Sequence, residues 1–256
     1  MIDLHVHILP GVDDGPPTLE EALAMGRVGE ERGLKVVAAT PHFFGQLSWA
    51  TVQQKVAELR EEFARAQVSL ELVAGAELML DLSLLDLAPE EIPTYGGQGR
   101  FCLIEFPFQE LPVYTDDVLF DLQTKGITPI IAHPERYRGV LQDPNTALGW
   151  LERGCLLQVN TGSILGRFGS TVQEAAEILL THDMAQFVAS DAHSVQRRTL
   201  DLPQAHGVLV ELLGAERAEE LVAANPRAVL AGDFAPRRPP QQYRRKRRFF
   251  SFRRFS

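Results

Sequence analysis

Cysteine is nearly absent from this chain of 256 residues, which holds only Cys102 and Cys155. Each lies in an apolar run, Phe101-Cys102-Leu103-Ile104 and Cys155-Leu156-Leu157, and reads as a buried thiol, not as part of a disulfide framework. No apolar run approaches the roughly 20 residues that cross a bilayer. The opening Met1-Ile2-Asp3-Leu4-His5 has neither the basic stretch nor the apolar centre of a secretory leader. The expected compartment is therefore the cytoplasm.

Several chemistries are missing as well. No glycine-rich stretch ends in Gly-Lys-Ser or Gly-Lys-Thr, which excludes a P-loop. Gly96-Gly97-Gln98-Gly99 precedes an apolar run instead of following one, against a dinucleotide fingerprint. There is no Gly-x-Ser-x-Gly elbow. A cysteine-dependent phosphatase needs arginine six positions after its cysteine, and Phe108 and Thr161 stand there. The 45% hydrophobic and 23% charged content is that of a folded soluble domain, not of a fibrous or disordered chain.

The net charge of -9 is unevenly spread. Nine of the 25 Lys and Arg fall in Arg237–Ser256, which has no acid, so the preceding residues carry 16 bases against 34 acids, a net of -18. An acidic body repels nucleic-acid phosphates, so no nucleic-acid partner is expected for it.

Continuous apolar segments at Ile2–Leu4, Val36–Ala39, Leu70–Ala74, Phe101–Glu105, Thr128–Ala132, Leu156–Val159 and Phe187–Ala189 read as strands covered on both faces, as in a parallel sheet. Helical stretches separate them. Thr18-Leu19-Glu20-Glu21 opens one that stops at Gly33, and a second covers Ser48 to Ala66. Others run from Asp116 to Lys125 and from Asp143-Pro144 to Arg153. Thr171-Val172-Gln173-Glu174 reads as a further capping box for a helix to His182, and two or three helices fill Leu202 to Leu230. Seven such βα units predict a closed or nearly closed barrel, with an open doubly wound sheet as the alternative.

Five of the seven histidines fall at strand ends: His5, His7, His42, His133 and His193. His182 and His206 fall in or after helices. Asp14, Glu77, Glu105 and Asp191 join the same rim. Barrel enzymes place their chemistry at the carboxyl ends of strands. Imidazole with carboxylate and no thiolate suits Zn²⁺, Mn²⁺ or Fe²⁺, and the number of ligands exceeds what one ion needs. Paired ions of this kind activate water and clamp a phosphoryl group. Arg136, in His133-Pro134-Glu135-Arg136-Tyr137, stands where a guanidinium could grip phosphate in a fork; the plainer reading is a surface ion pair.

These residues resemble the PHP (polymerase and histidinol phosphatase) superfamily. The stretch His5-Val6-His7-Ile8-Leu9-Pro10-Gly11-Val12-Asp13-Asp14-Gly15 carries the likeness, with Ala39-Thr40-Pro41-His42, Ala76-Glu77, Ile104-Glu105, His133 to Tyr137 and Ser190-Asp191-Ala192-His193. In that order they are similar to the manganese-dependent bacterial protein-tyrosine phosphatases of capsule and exopolysaccharide control. The resemblance implies a distorted (β/α)7 TIM-like barrel, the PHP fold, as a single domain over residues 1–235. Residues 236–256 are expected from their composition to form a basic, disordered tail. It implies a three-metal Mn²⁺ cluster, with Fe²⁺ or Zn²⁺ as alternatives. His5, His7, Glu77 and Asp191 would hold the first ion; Glu77, Glu105 and His133 the second; Asp14, His42 and His193 the third. Arg136 would hold the phosphate, with His42 and His193 as the other catalytic candidates.

The implied substrate is phosphotyrosine in a protein, a membrane-associated bacterial tyrosine kinase of polysaccharide export. Hydrolysis of a small phosphate ester such as histidinol phosphate is the alternative, and a phosphotyrosine-binding scaffold is a non-enzymatic one. The resemblance does not reach the tail. Its Arg244–Arg248 cluster followed by Phe249, Phe250, Phe252 and Phe255 suits contact with an anionic membrane, which would place the protein peripherally at the inner face.

Overall fold

The computed structural model describes residues 1–45 and 47–244. Its strands are β1 (Ile2–Val6), β2 (Val36–Ala39), β3 (His42–Phe43), β4 (Glu71–Ala74), β5 (Glu77–Met79), β6 (Phe101–Glu105), β7 (Thr128–Ala132), β8 (Leu156–Asn160) and β9 (Phe187–Ala189). They form two sheets, ordered β1-β2-β4 and β3-β5-β6-β7-β8-β9, with every ladder parallel.

The two extra strands are continuations of expected ones. Thr40-Pro41 separates β2 from β3, and Gly75-Ala76 separates β4 from β5. Backbone bonds carry through both breaks, from Gly75 N to Ala39 O (3.0 Å) and from Glu77 N to Pro41 O (2.9 Å). The first and last strands also meet. Val6 bridges Ala192 in parallel, His7 N donates to Ala192 O (2.8 Å) and Asp191 N to His5 O (2.8 Å). Seven βα units thus surround one interior in a distorted barrel. Tyr95 packs among the inner residues and donates its hydroxyl to Leu4 O at 2.9 Å.

Apolar side chains cover both faces of the strands. Ile2, Leu4, Phe101, Leu103, Ile130, Leu156 and Phe187 share the interior with Tyr95. The intervening Cys102, Ile104, Ile131, Leu157 and Val188 pack in the outer shell with the helices. This double coverage is why the strands read as continuous apolar runs. Both cysteines are buried free thiols. At the amino-terminal end of the barrel Phe234 lies 5.0 Å from the Phe187 ring. The interior is packed there, and polar groups concentrate at the opposite end.

The helices are α1 (Leu19–Glu31), α2 (Trp49–Arg65), α3 (Thr115–Thr124), α4 (Arg138–Gln142), α5 (Asn145–Glu152), α6 (Thr161–Ile164), α7 (Ser170–Thr181), α8 (Leu202–Leu213), α9 (Ala215–Glu219) and α10 (Asn225–Ala231). Thr18 caps α1 by accepting from Glu21 N (3.3 Å), one half of the expected capping box, and Ser48 caps α2 by accepting from Thr51 N (3.1 Å). Asp143 Oδ1 accepts from Asn145 N at 3.0 Å, with Pro144 in helical conformation between them. The box expected at Thr171 is not used. Gly169, at φ 92°, turns the chain into α7 at Ser170, so Thr171 is already inside the helix. A π turn at Glu220–Ala224 joins α9 to α10.

After residue 235 the chain stays against the body as far as described. Arg238 donates to Glu220 twice (3.1 Å each), Gln241 N to His182 O (2.8 Å) and Tyr243 N to Asn145 Oδ1 (2.8 Å). The Arg244–Arg248 cluster and the phenylalanines that follow lie outside the described residues, apart from Arg244 itself.

Candidate metal centre

The carboxyl ends of the strands bring all nine expected donors to one face. β1 supplies His5 and, one residue beyond its end, His7; β3 begins with His42, β5 begins with Glu77 and β6 ends with Glu105. His133 follows β7, and Asp191 and His193 follow β9. His133 and Asp191 have left-handed backbones, at φ 34° and 54°. Such conformations are costly for non-glycine residues and cluster at functional sites.

Four donors converge most closely. His5 Nε2 lies 3.2 Å from His7 Nε2. Glu77 Oε2 lies 3.2 and 3.3 Å from these two nitrogens, and Asp191 Oδ1 lies 3.5 Å from each. Tetrahedral ligands about 2.1 Å from a metal ion are separated by about 3.4 Å, so the spacing of His5, His7 and Glu77 fits one ion, with Asp191 Oδ1 close to both nitrogens. The tautomers agree. Gln158 Oε1 accepts from His5 Nδ1 (2.8 Å), and Asp13 Oδ2 accepts from His7 Nδ1 (2.7 Å). With Nδ1 donating, each ring turns Nε2 toward the other and toward two carboxylates, a convergence that a metal cation satisfies, or a proton in its absence.

The remaining donors extend from this group. His133 Nε2 is 3.1 Å from Glu77 Oε1 and 3.4 Å from Glu105 Oε1, so the two Glu77 oxygens face different clusters. Asp14 Oδ1 is 3.1 Å from His193 Nε2 and 3.5 Å from His42 Nε2. The donors of His7, Asp14, His42 and His193 lie within 4.8 Å of one another, as do those of His42, Glu77 and Glu105. Asp191 Oδ1 and His193 Nε2 are buried without a hydrogen-bond partner, as expected of groups aimed at an ion.

Burial opposes charge throughout, and the mutual field decides the outcome. Glu77 is pushed up by burial, but positive charge on His5 and hydrogen bonds from His133, His42 and His5 hold it well below the usual carboxylate range. Glu105 is raised by burial and then by the Glu77 charge. His7, despite burial, is raised to about 10 by Asp13 and Glu77. His193 is pushed down to about 4 by burial and by the neighbouring His7 charge. A field that draws protons onto buried imidazoles also draws metal cations.

Over this face lies a cavity of about 370 Å³, lined by Asp14, His42, Glu105, His133, Arg136 and Arg198 among others. Arg136 is not a plain surface arginine. Its guanidinium carbon lies 4.6 Å from the centroids of both the Phe108 and the Phe168 rings, and Nη1 is 3.5 Å from Asp191 Oδ2. Arg198 also pairs with Asp191 Oδ2.

Sequence reasoning passed over several residues here. In the pair Asp13-Asp14 only the second was chosen, yet Asp13 orients His7 and accepts from His42 N at 3.0 Å. Gln158 and Asn160 interrupt the apolar run of β8 at alternate positions, a readable signal of polar groups turned into the interior. Asn160 Nδ2 donates to Asp191 Oδ2 at 2.7 Å. Arg198, Phe108 and Phe168 come from loops whose spacing carries no such signal.

A parallel barrel with imidazoles and carboxylates converging at its strand ends defines a metal-binding α/β barrel of the metallohydrolase type. The family model for capsular polysaccharide synthesis, CpsB/CapC, matches residues 1–231, and the chain belongs to that family. It is 32% identical to the tyrosine-protein phosphatase YwqE of Bacillus subtilis over 256 residues, 98% of this chain and all of that one. It is 31% identical to the tyrosine-protein phosphatase CpsB of Streptococcus pneumoniae, covering 90% of this chain and 98% of the other. A structure from the work on YwqE and CpsB, described as unique metal-dependent tyrosine phosphatases, superposes with a TM-score of 0.89 at 32% identity, covering 96% of this chain. The phosphotriesterase homology protein of Escherichia coli shares the fold at a TM-score of 0.60 and 12% identity.

Proposed function

We propose that this protein hydrolyses phosphotyrosine in proteins at a three-metal centre, with Mn²⁺ as the working ion and Fe²⁺ or Zn²⁺ as ions of the same ligand preference. The observation that carries the reading is the convergence of His5, His7 and Glu77, whose donors lie 3.2 to 3.3 Å apart, with Asp191 Oδ1 3.5 Å from both imidazole nitrogens. Those four would hold the first ion. Glu77, Glu105 and His133 would hold the second, and Asp14, His42 and His193 the third. When bound, such ions supply Lewis acidity toward phosphate oxygens and activation of water.

The chain's own residues do the rest. Asp13 and Gln158 accept the Nδ1 protons of His7 and His5 and so aim their Nε2 atoms inward. The two phenylalanine rings hold the Arg136 guanidinium at the cavity wall, where it binds the substrate phosphate and meets charge that grows in the transition state. Arg198 stands on the same wall as a second cation. His42 lines the cavity and His193 is buried beside it; both would serve the departing phenolate as ligands of the third ion, not as proton donors. A free phenol has a pKa near about 10, so tyrosine leaves without a strong acid. No covalent phosphoenzyme is required.

The natural substrate in this reading is a bacterial tyrosine kinase of polysaccharide export, held at the membrane. Among the described residues no helix is long and apolar enough to cross a membrane. The protein would meet the kinase from the cytoplasm, aided by its basic tail. Metal-loaded protein should be assayed side by side on a phosphotyrosyl peptide and on histidinol phosphate. The expected result is a higher kcat/KM on the peptide. The opposite preference would assign the same centre to a small-molecule phosphatase.

A further inference from the structure

A second, larger cavity lies beside the metal centre and plays no part in the chemistry above. It encloses about 880 Å³, against about 370 Å³ over the metal donors. The two share Phe44 and Met79 as common wall, so one opens beside the other. Phe44 is 63% exposed at that junction, an unsupported aromatic ring between two concave surfaces. Beyond it the groove is apolar, built by Leu47, Trp49, Leu84 and Leu87. Its rim is acidic, with Asp81, Glu90 and Glu91. Two of these carboxylates are held in place: Asp81 Oδ1 accepts from Ser83 N and Glu91 Oε2 from Ala88 N, each at 2.9 Å.

A phosphate monoester of a small alcohol would fit within the metal cavity alone. A polypeptide could not, because the residues on either side of the phosphotyrosine must lie on whatever surface adjoins the centre. We infer that this groove seats the residues flanking the phosphotyrosine. It selects an extended segment with an apolar side chain next to the phosphotyrosine and a lysine or arginine beyond it. It rejects acidic flanks. The apolar wall removes the flanking side chain from water. The rim attracts a cation and repels a carboxylate, in a protein whose body is already strongly acidic. The inference rests on the phosphotyrosine reading and names the substrate class of that site.

The test compares kcat/KM on an aryl phosphate with that on three phosphotyrosyl peptides of equal length. One carries Leu and Lys flanks, one Ala flanks and one Glu flanks. The peptide with Leu and Lys should lead the one with Glu by at least about tenfold. The double substitution Glu90→Gln, Glu91→Gln changes exposed groups only and should bring these two peptides closer together. Leu47→Ser should lower turnover of the Leu peptide toward that of the Ala peptide. Both variants should keep the aryl phosphate rate. Equal turnover of all three peptides by the unaltered protein, or ratios unmoved by both variants, would overturn the groove alone. Turnover of the aryl phosphate with none of any peptide would overturn the phosphotyrosine reading and the groove with it.

Discussion

Asn160→Leu cuts a buried relay that joins two donors of the first ion site. His5 Nδ1 donates to Gln158 Oε1 (2.8 Å), Gln158 Nε2 to Asn160 Oδ1 (2.9 Å), and Asn160 Nδ2 to Asp191 Oδ2 (2.7 Å). Gln158, Asn160 and Asp191 are 0%, 1% and 2% exposed, so water cannot replace a lost partner. Leucine keeps the branched shape and heavy-atom count of the asparagine side chain and leaves no cavity, though its bulkier methyl groups add some overpacking. The substitution strips one hydrogen bond from a carboxylate and leaves the Gln158 amide without an acceptor. A hydrogen bond to a charged group is worth about 1.5–3 kcal/mol. Because each 1.4 kcal/mol is about tenfold, this corresponds to about 10–100-fold in affinity for the ion, the range seen when outer partners of metal ligands are lost. The unpaired amide costs a further 1–3 kcal/mol or so of fold stability. Competition against a chelator of known affinity, on stripped protein, measures the first effect, and thermal unfolding of the stripped protein measures the second. Metal affinity within about twofold of the unaltered protein would refute the relay, whatever happened to activity.

Other outcomes follow from the same geometry. Arg136→Ala should lower kcat/KM by about 100-fold or more while leaving metal content intact, and Arg136→Lys should not restore it, because lysine cannot reproduce the fork; metal loss in Arg136→Ala, measured by elemental analysis, would count against its placement as a phosphate ligand. The raised pKa of His7, about 10, means that its imidazole is protonated in the stripped protein at pH 8. Metal binding must expel that proton and any on His5 and His42, whose imidazoles are raised too, so apparent affinity should rise with pH toward about 10, and calorimetry at pH 8 in buffers of different ionisation enthalpy should report proton release. Truncation after Arg244 should leave aryl phosphate hydrolysis unchanged and reduce salt-sensitive binding to anionic vesicles; full-length protein that ignores such vesicles at low salt would refute membrane contact by the tail.

Much of this molecule is legible in its sequence, and for identifiable reasons. Strands packed on both faces leave continuous apolar runs, so all seven were readable with small errors at their ends. Thr18 and Ser48 cap helices through a local side chain, and local signals survive in sequence. The helix at Ser170 was misread because the chain turns at Gly169, whose positive φ carries no side-chain mark. The short β3 and β5 were not separated from the loops after β2 and β4, since Thr40-Pro41 and Gly75-Ala76 look like strand endings. At the site, residues directly after strands were recognisable because the fold class brings all strand ends together. Arg198 was not, because it reaches Asp191 from a loop whose path depends on tertiary packing. The aromatic clamp on Arg136 joins Phe108 and Phe168 from opposite sides in the same way.

The central claim is that the donors at the strand ends work by holding metal. Its most direct test is titration of rigorously stripped protein with Mn²⁺, following phosphotyrosyl peptide hydrolysis and bound metal by elemental analysis on the same samples. Activity should be absent at the start, rise with bound metal and level off near three ions per chain. Full hydrolysis by protein that carries no measurable metal would contradict the account.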